Sequence, residues 1–188
     1  MGKEVLIAMK KKSVVLITDV PTPYRNHLFS QLELEFQNYG LELVVWYMSK
    51  AVSNRNWFFD TKLMTYKHEF FKSSEIQYNN YILHLNFRVI FKLFSIRHNV
   101  NLLILGGSWN APVAVLTLLF RKIVGINKML FWAEANRHSQ SISAKPVLWF
   151  RNFLVRSVDG FICPGEVAID TISNDWGFAR KRFFSGSN

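Results

Sequence analysis

Residues 101–134 read N-L-L-I-L-G-G-S-W-N-A-P-V-A-V-L-T-L-L-F-R-K-I-V-G-I-N-K-M-L-F-W-A-E. Asn101 to Leu105 is a short apolar run that stops at Gly106-Gly107, as a buried strand does at a tight turn. Ala111 to Val124 is long enough for a helix and apolar enough to be mostly buried. Lys128 to Glu134 (KMLFWAE) is again short and apolar. A strand, a helical crossover and a second strand make a βαβ unit, whose two strands run parallel.

The same alternation extends in both directions. Upstream, Ser13 to Asp19 (SVVLITD) and Leu41 to Met48 (LELVVWYM) read as strands. Between them, Asn26 to Tyr39 places Leu28, Phe29, Leu32 and Phe36 at helical spacing, with Gly40 as the stop. Ser49 to Phe59 reads as a loop, Leu63 to Glu69 as a short third strand, and the chain is irregular to about Leu83. Phe87 to His98 puts Phe87, Ile90, Phe91 and Phe94 on one helical face. Downstream, Ala144 to Arg156 is a helix with Pro146 in its first turn, Val158 to Cys163 a strand, and Val167 to Trp176 a helix stopped by Gly177. The expected fold is α/β: a Rossmann-like, doubly wound, mostly parallel sheet with helices on both faces, forming one domain over residues 1–188.

Composition narrows the function classes. With 49% hydrophobic and 19% charged residues among 188, the chain is not disordered and is long enough for one core. Cys163 is the only cysteine, so no internal disulfide forms, which suits a reducing cytoplasm. The longest apolar stretch, Ala111 to Phe120, is about half a membrane span, and Arg121 and Lys122 end it. Residues Met1 to Lys12 lack the long apolar region and cleavage site of a signal peptide. Met1-Gly2 opens like a myristoylation site, but Leu6 stands where Ser or Thr is required. A net charge of +10 implies an anionic partner: nucleic acid, an acidic lipid surface or a phosphorylated substrate. The aromatics fall in strands and helices rather than interleaving with Arg and Lys on one motif, which argues against nucleic acid.

Ligands of open parallel sheets bind at the carboxyl ends of the strands. Four such ends carry unusual residues: Val20-Pro21-Thr22-Pro23-Tyr24-Arg25, Gly106-Gly107-Ser108-Trp109-Asn110, Glu134-Ala135-Asn136-Arg137-His138 and Pro164-Gly165-Glu166. Pro21 and Pro23 either stiffen a turn or line the crevice. The glycine pair lacks the G-x-G-x-x-G spacing and reads as a tight turn rather than a phosphate cradle. A carboxylate directly after an apolar strand needs a partner or a solvated cleft, and for Glu134 the cleft is favoured. Arg137 and His138 fit either the cleft or an ordinary loop. The helix around Phe87 to His98 also has two readings. The favoured one buries Phe87, Phe91 and Phe94 in the core and lets the cations extend to water. The other is a membrane-surface helix, with Arg88, Lys92 and Arg97, joined by Arg121 and Lys122, facing acidic lipid. No metal motif, G-x-S-x-G elbow or P-loop occurs.

The segment V-V-L-I-T-D-V-P-T-P-Y-R-N-H-L-F (Val14 to Phe29) resembles the start of bacterial glycosyltransferases of family 4, which have the two-domain GT-B fold. F-W-A-E (Phe131 to Glu134), V-D-G-F-I-C-P-G-E (Val158 to Glu166) and F-F-S-G-S-N (Phe183 to Asn188) resemble later parts of the same domain. The resemblance implies the N-terminal, acceptor-side half of such an enzyme. The donor-binding C-terminal domain, with the family's E-x7-E motif, is not in this sequence, so the chain is expected to be inactive alone. The implied substrates are a nucleotide-sugar donor in the full enzyme and a glycan or lipid-linked acceptor, with no metal or other cofactor. The implied location is cytoplasmic, at the inner face of the membrane. Tyr24, Arg25, Trp109, Asn110, Glu134, Arg137 and His138 are the expected acceptor-binding residues. The alternative is a stand-alone Rossmann-type nucleotide- or phosphate-binding module.

Overall fold

The structure is a computed structural model that describes residues 12–50, 63–71, 74–78, 81–134, 144–179 and 182–185. In chain order the elements are β1 (Lys12–Thr18), α1 (Pro23–Asn38), β2 (Leu41–Tyr47), β3 (Lys67–Phe70), β4 (Ser74–Tyr78), β5 (Tyr81–Leu85), α2 (Arg88–Ile96), β6 (Val100–Gly106), α3 (Pro112–Val124), β7 (Met129–Trp132), α4 (Lys145–Val155), β8 (Gly160–Cys163), α5 (Glu166–Asp170) and β9 (Phe183–Ser185). Seven strands form one sheet in the order β3-β2-β1-β6-β7-β8-β9, and every neighbouring pair is parallel. The expected fold class is therefore the observed one. The stretch left irregular contains β4 and β5, a separate antiparallel hairpin. The third strand lies at Lys67–Phe70, later than the Leu63 start expected for it.

The helices divide between the two faces according to the direction the chain takes across the sheet. β1 to β2 runs one way, and α1 packs on the face carrying Val14, Leu16, Leu43 and Val45. β6 to β9 runs the other way. Right-handed crossovers then put α2, α3, α4 and α5 on the opposite face, against Val15, Ile17, Leu103, Leu105, Phe131 and Phe161. The middle of β1 is covered on both sides, which is why its sequence is a continuous apolar run.

Local chemistry sets the helix ends. Thr22 is extended and Pro23 supplies a preset φ at the start of α1. Beyond the end of α1, Gly40 takes φ +69. Glu33, buried on the inner side of α1, accepts from the Leu43 N–H at 2.8 Å and from Gln37 Nε2 at 2.7 Å, so its desolvated carboxylate is satisfied while it fastens α1 to β2. At the end of α3, Arg121 donates to the carbonyls of Ile126 (3.2 Å), Asn127 (2.9 Å) and Ser157, and to Asp159. Asp159 in turn accepts from the Met129 N–H at 2.7 Å. Arg121 therefore ties together the loops entering β7 and β8.

Cys163 ends β8, fully buried, and burial pushes its thiol up to about 11. The reactive thiolate is scarce at neutral pH, so iodoacetamide at pH 8 should label Cys163 only in denaturant. Rapid labelling of the folded chain, read by mass spectrometry, would contradict this placement.

The reading of Phe87, Phe91 and Phe94 as core residues is wrong. On α2 it is Val89 and Leu93 that are buried, and the three phenylalanines are exposed. Apolar residues cover most of this helix, so their spacing does not identify the inward side. Likewise α3 is not buried all round: Leu119, Phe120 and Ile123 face outward.

Candidate functional site

The strand order turns at β1: β2 lies on one side of it and β6 on the other. The crevice of a doubly wound sheet opens at such a switch, beyond the carboxyl ends of the strands. Gly106 and Gly107 sit at this point. Gly107 has φ +97, and a Cβ there would come within 2.8 Å of Asp19 Oδ2 at the end of β1. The pair is a tight turn demanded by the close approach of two loops, as its spacing suggested.

Arg25 is the centre of the site. It projects from the first turn of α1, and Nη1 donates to Thr18 Oγ1 at 2.9 Å. Nη2 reaches across the switch to Glu134 Oε1 at 2.5 Å, joining the end of β1 to the segment after β7. The guanidinium also stands 5.9 Å from the Trp132 ring and 5.7 Å from Tyr24. Burial works against its charge, but the hydrogen bond and charge of Glu134 outweigh that, and its pKa lies above the ordinary arginine value.

Beside this pair is a phenol couple. Thr18 and Tyr47 are register partners on the α1 face of the sheet. The Tyr47 and Tyr66 hydroxyls share a 2.8 Å hydrogen bond in the interior. Burial raises both pKa values; the bond to Tyr66 raises that of Tyr47 further, and Arg25 opposes it slightly. Both phenols are protonated at neutral pH. Phe29 packs edge-on against Tyr66 at 5.7 Å and Trp132 at 6.2 Å, so one aromatic wall runs from the residue before β3 to β7.

Three buried polar atoms near this wall have no hydrogen-bond partner among the described residues: Thr22 Oγ1, Asn26 Oδ1 and Trp132 Nε1. Thr22 stands at the N-cap position of α1 without a side-chain capping bond, Asn26 lies in the first turn, and Trp132 lies under Arg25. An unmet buried polar atom costs about 1–3 kcal/mol, and of the three it is Trp132 Nε1 whose ring lies beside Arg25.

Of the expected site residues, Tyr24, Arg25 and Glu134 come together. Asn110 is exposed and accepts from the Ser108 hydroxyl within its own loop. Trp109 is half-buried and packs against the core under α2–α5, away from the α1 face. Arg137 and His138 lie outside the described residues. Thr18, Tyr47, Tyr66 and Trp132 belong to the site but were not singled out from sequence. Tyr47 was legible in principle, since it ends β2 as Thr18 ends β1. Among the described residues, no three His, Cys, Asp or Glu side chains are grouped to hold a metal ion.

No family model matches the sequence, and no curated protein matches it either. Solved structures do match the fold. HepE of Anabaena, in complex with UDP and glucose, superposes with a TM-score of 0.59 at 10% identity, over 94% of this chain and 44% of that one. A glycosyltransferase from Rickettsia africae gives 0.58 at 8% identity, over 95% and 43%. A UDP-N-acetylglucosamine 2-epimerase gives 0.56 at 14% identity, over 95% and 49%. This chain therefore spans less than half the length of these proteins. At such identities the likeness is one of fold: a Rossmann-like α/β unit corresponding to one half of a GT-B arrangement.

Proposed function

We propose that this chain is the N-terminal, acceptor-side half of a GT-B glycosyltransferase of the family 4 type. In this reading the whole enzyme moves a sugar from a nucleotide-sugar to a cell-surface glycan or a lipid-linked acceptor. The observation that carries the proposal is the Arg25–Glu134 bridge over Trp132, set at the switch point of the sheet. The match to halves of sugar-nucleotide enzymes supports it.

The roles follow from the chemistry. Glycosyl transfer needs an acceptor hydroxyl aimed at the sugar carbon while positive charge grows there and negative charge grows on the departing diphosphate. Glu134 Oε1 is committed to Arg25, and among the described residues its second oxygen has no hydrogen-bond partner, which fits it to accept from an acceptor hydroxyl. Arg25 fixes the carboxylate in place, so little reorganisation is needed when the acceptor binds. Tyr24, exposed beside Arg25, offers a face for a sugar ring. A free phosphate at the same switch point is disfavoured, because the Asp19 carboxylate lies against the Gly107 turn. This observation favours the acceptor-side reading over a stand-alone nucleotide- or phosphate-binding module.

The test is Glu134→Gln in the enzyme that contains both halves. The amide keeps the shape and loses the charge that aligns Arg25. Transfer should fall at least about tenfold, equivalent to roughly 1.4 kcal/mol of barrier. The melting temperature should fall only modestly, because Glu134 is half exposed and the amide oxygen can still accept from the partly buried Arg25. An unchanged rate would remove Glu134 from the site.

A further inference from the structure

We infer that Thr18 is a positioning residue that acts on Glu134 through Arg25. The inference rests on the acceptor-side reading of the Arg25–Glu134 pair and extends it one residue inward. Glu134 lies beyond β7 with its side chain 51% exposed, and a carboxylate that open to water does not keep one orientation unaided. The Arg25 side chain is only 12% exposed and reaches it from α1, across the switch point. Whatever holds the guanidinium therefore decides where the carboxylate stands.

One hydrogen bond at the tip of an arginine leaves the guanidinium free to pivot, whereas a second fixes its plane. Nη2 donates to Glu134 Oε1 at 2.5 Å and Nη1 to Thr18 Oγ1 at 2.9 Å, so Thr18 is the second anchor. It is a rigid one. Thr18 ends β1, which is paired on both sides, and is fully buried. Its branched side chain has little freedom at χ1. The β6 backbone closes over it: a Cβ on Gly106 would lie 3.6 Å from both Thr18 Cβ and Oγ1, and 3.3 Å from the Ile17 carbonyl oxygen. The phenols nearby do not take its place, because the Tyr47 and Tyr66 hydroxyls bond to each other.

Fastening α1 does not require this bond. Asn26 Nδ2 donates to the Leu63 carbonyl at 3.2 Å, and Glu33 accepts from the Leu43 N–H. The other ion pairs differ in kind. Lys67–Glu42 and Lys92–Glu69 lie open to water. Arg121, the other largely buried cation, bonds to loop carbonyls as well as to Asp159, which makes it a tie between loops. Arg25 donates to side chains instead: a buried hydroxyl inside the sheet and a carboxylate at its open edge. A rigid anchor, a charged arm and a presented carboxylate are the parts of a pre-organised contact.

Two substitutions separate positioning from packing. Thr18→Val keeps the branched shape and loses the oxygen, and Thr18→Ser keeps the oxygen and loses a methyl group. In the enzyme that contains both halves, Thr18→Val is expected to lower kcat about fivefold while the acceptor KM changes by less than about twofold. Thr18→Ser should stay within about twofold of the parent. Added to Glu134→Gln, Thr18→Val should cause little further loss, because both changes act on one carboxylate. A second readout needs no turnover. In residues 1–188, phenylglyoxal should modify Arg25 at least about threefold faster in the valine variant than in the parent or the serine variant, with Arg121 unchanged, as read by peptide mass spectrometry. Thr18→Ala, which only removes atoms, serves the same comparisons if the valine variant does not fold. Equal Arg25 reactivity in all the chains, a serine variant as slow as valine, or losses from Thr18→Val and Glu134→Gln that multiply in full would overturn the inference. Faster modification of Arg25 together with an unchanged rate for Glu134→Gln would keep Thr18 as the anchor of Arg25 and overturn the acceptor-side reading.

Discussion

Residues 1–188, expressed by themselves and offered a panel of nucleotide-sugars, are expected to melt cooperatively and to transfer no sugar. The cooperative melt follows from a complete sheet covered on both faces by one chain. The absence of turnover follows from the acceptor-side reading. If the crevice is shared between two halves, one half alone leaves the departing diphosphate in bulk water rather than in fixed dipoles. It also turns a positioned reaction into a chance encounter, which forfeits about 7–11 kcal/mol of barrier lowering, or about 10⁵–10⁸ in rate. A melt followed by circular dichroism and a transfer assay with mass detection decide the matter. Measurable transfer, or micromolar binding of a nucleotide-sugar by this chain alone, would instead establish a stand-alone nucleotide-binding module.

Replacing Phe161 with alanine is expected to cause the largest loss of stability of any single truncation in the core. The ring is fully buried on β8. It meets Phe178 at 5.0 Å, Phe183 at 5.4 Å, and Phe131 and Trp176 at 6.5 Å. These partners belong to β7, the segment after α5, and β9, so one side chain holds the final strand and the last helical segment to the sheet. Phe→Ala in a core costs about 3–5 kcal/mol, which for a chain of this size lowers the melting temperature by roughly 6–20 °C. Phe161→Leu keeps most of the volume and should lose much less. A drop of only a degree or two for the alanine variant would show that the aromatic cluster does not hold the tail.

The parallel sheet was legible because β1, β2, β6, β7 and β8 are short, largely apolar runs, most of them separated from the next by a helix-length segment; β3 (KHEF) was less legible because it lacks that pattern. The Gly106-Gly107 turn and the Pro146 start of α4 were legible for equally local reasons. Two kinds of information were not. The inward side of α2 could not be read because apolar residues surround most of the helix, and the rarer Val89 and Leu93, not the phenylalanines, face the core. The partners of Arg25 could not be read because Glu134 is far off in sequence and meets it only through the order of the strands. Polar residues beyond the strand ends point to Glu134, whereas Tyr47 and Trp132 are the last residues within their strands and look there like ordinary core aromatics.

The pairing of β1 with β6 sets a timetable for how the chain reaches this structure. Ile17 lies beside Leu105, roughly 90 residues later, and that contact closes the middle of the sheet. During synthesis β1 and β2 leave the ribosome long before β6, so β1, buried from Ser13 to Thr18 in the finished sheet, waits with one edge unpaired. Closure of so long a loop makes folding slow compared with a helical bundle of equal size. The vulnerable species for this protein is the nascent chain before β6, and protection by a chaperone matters most in that interval.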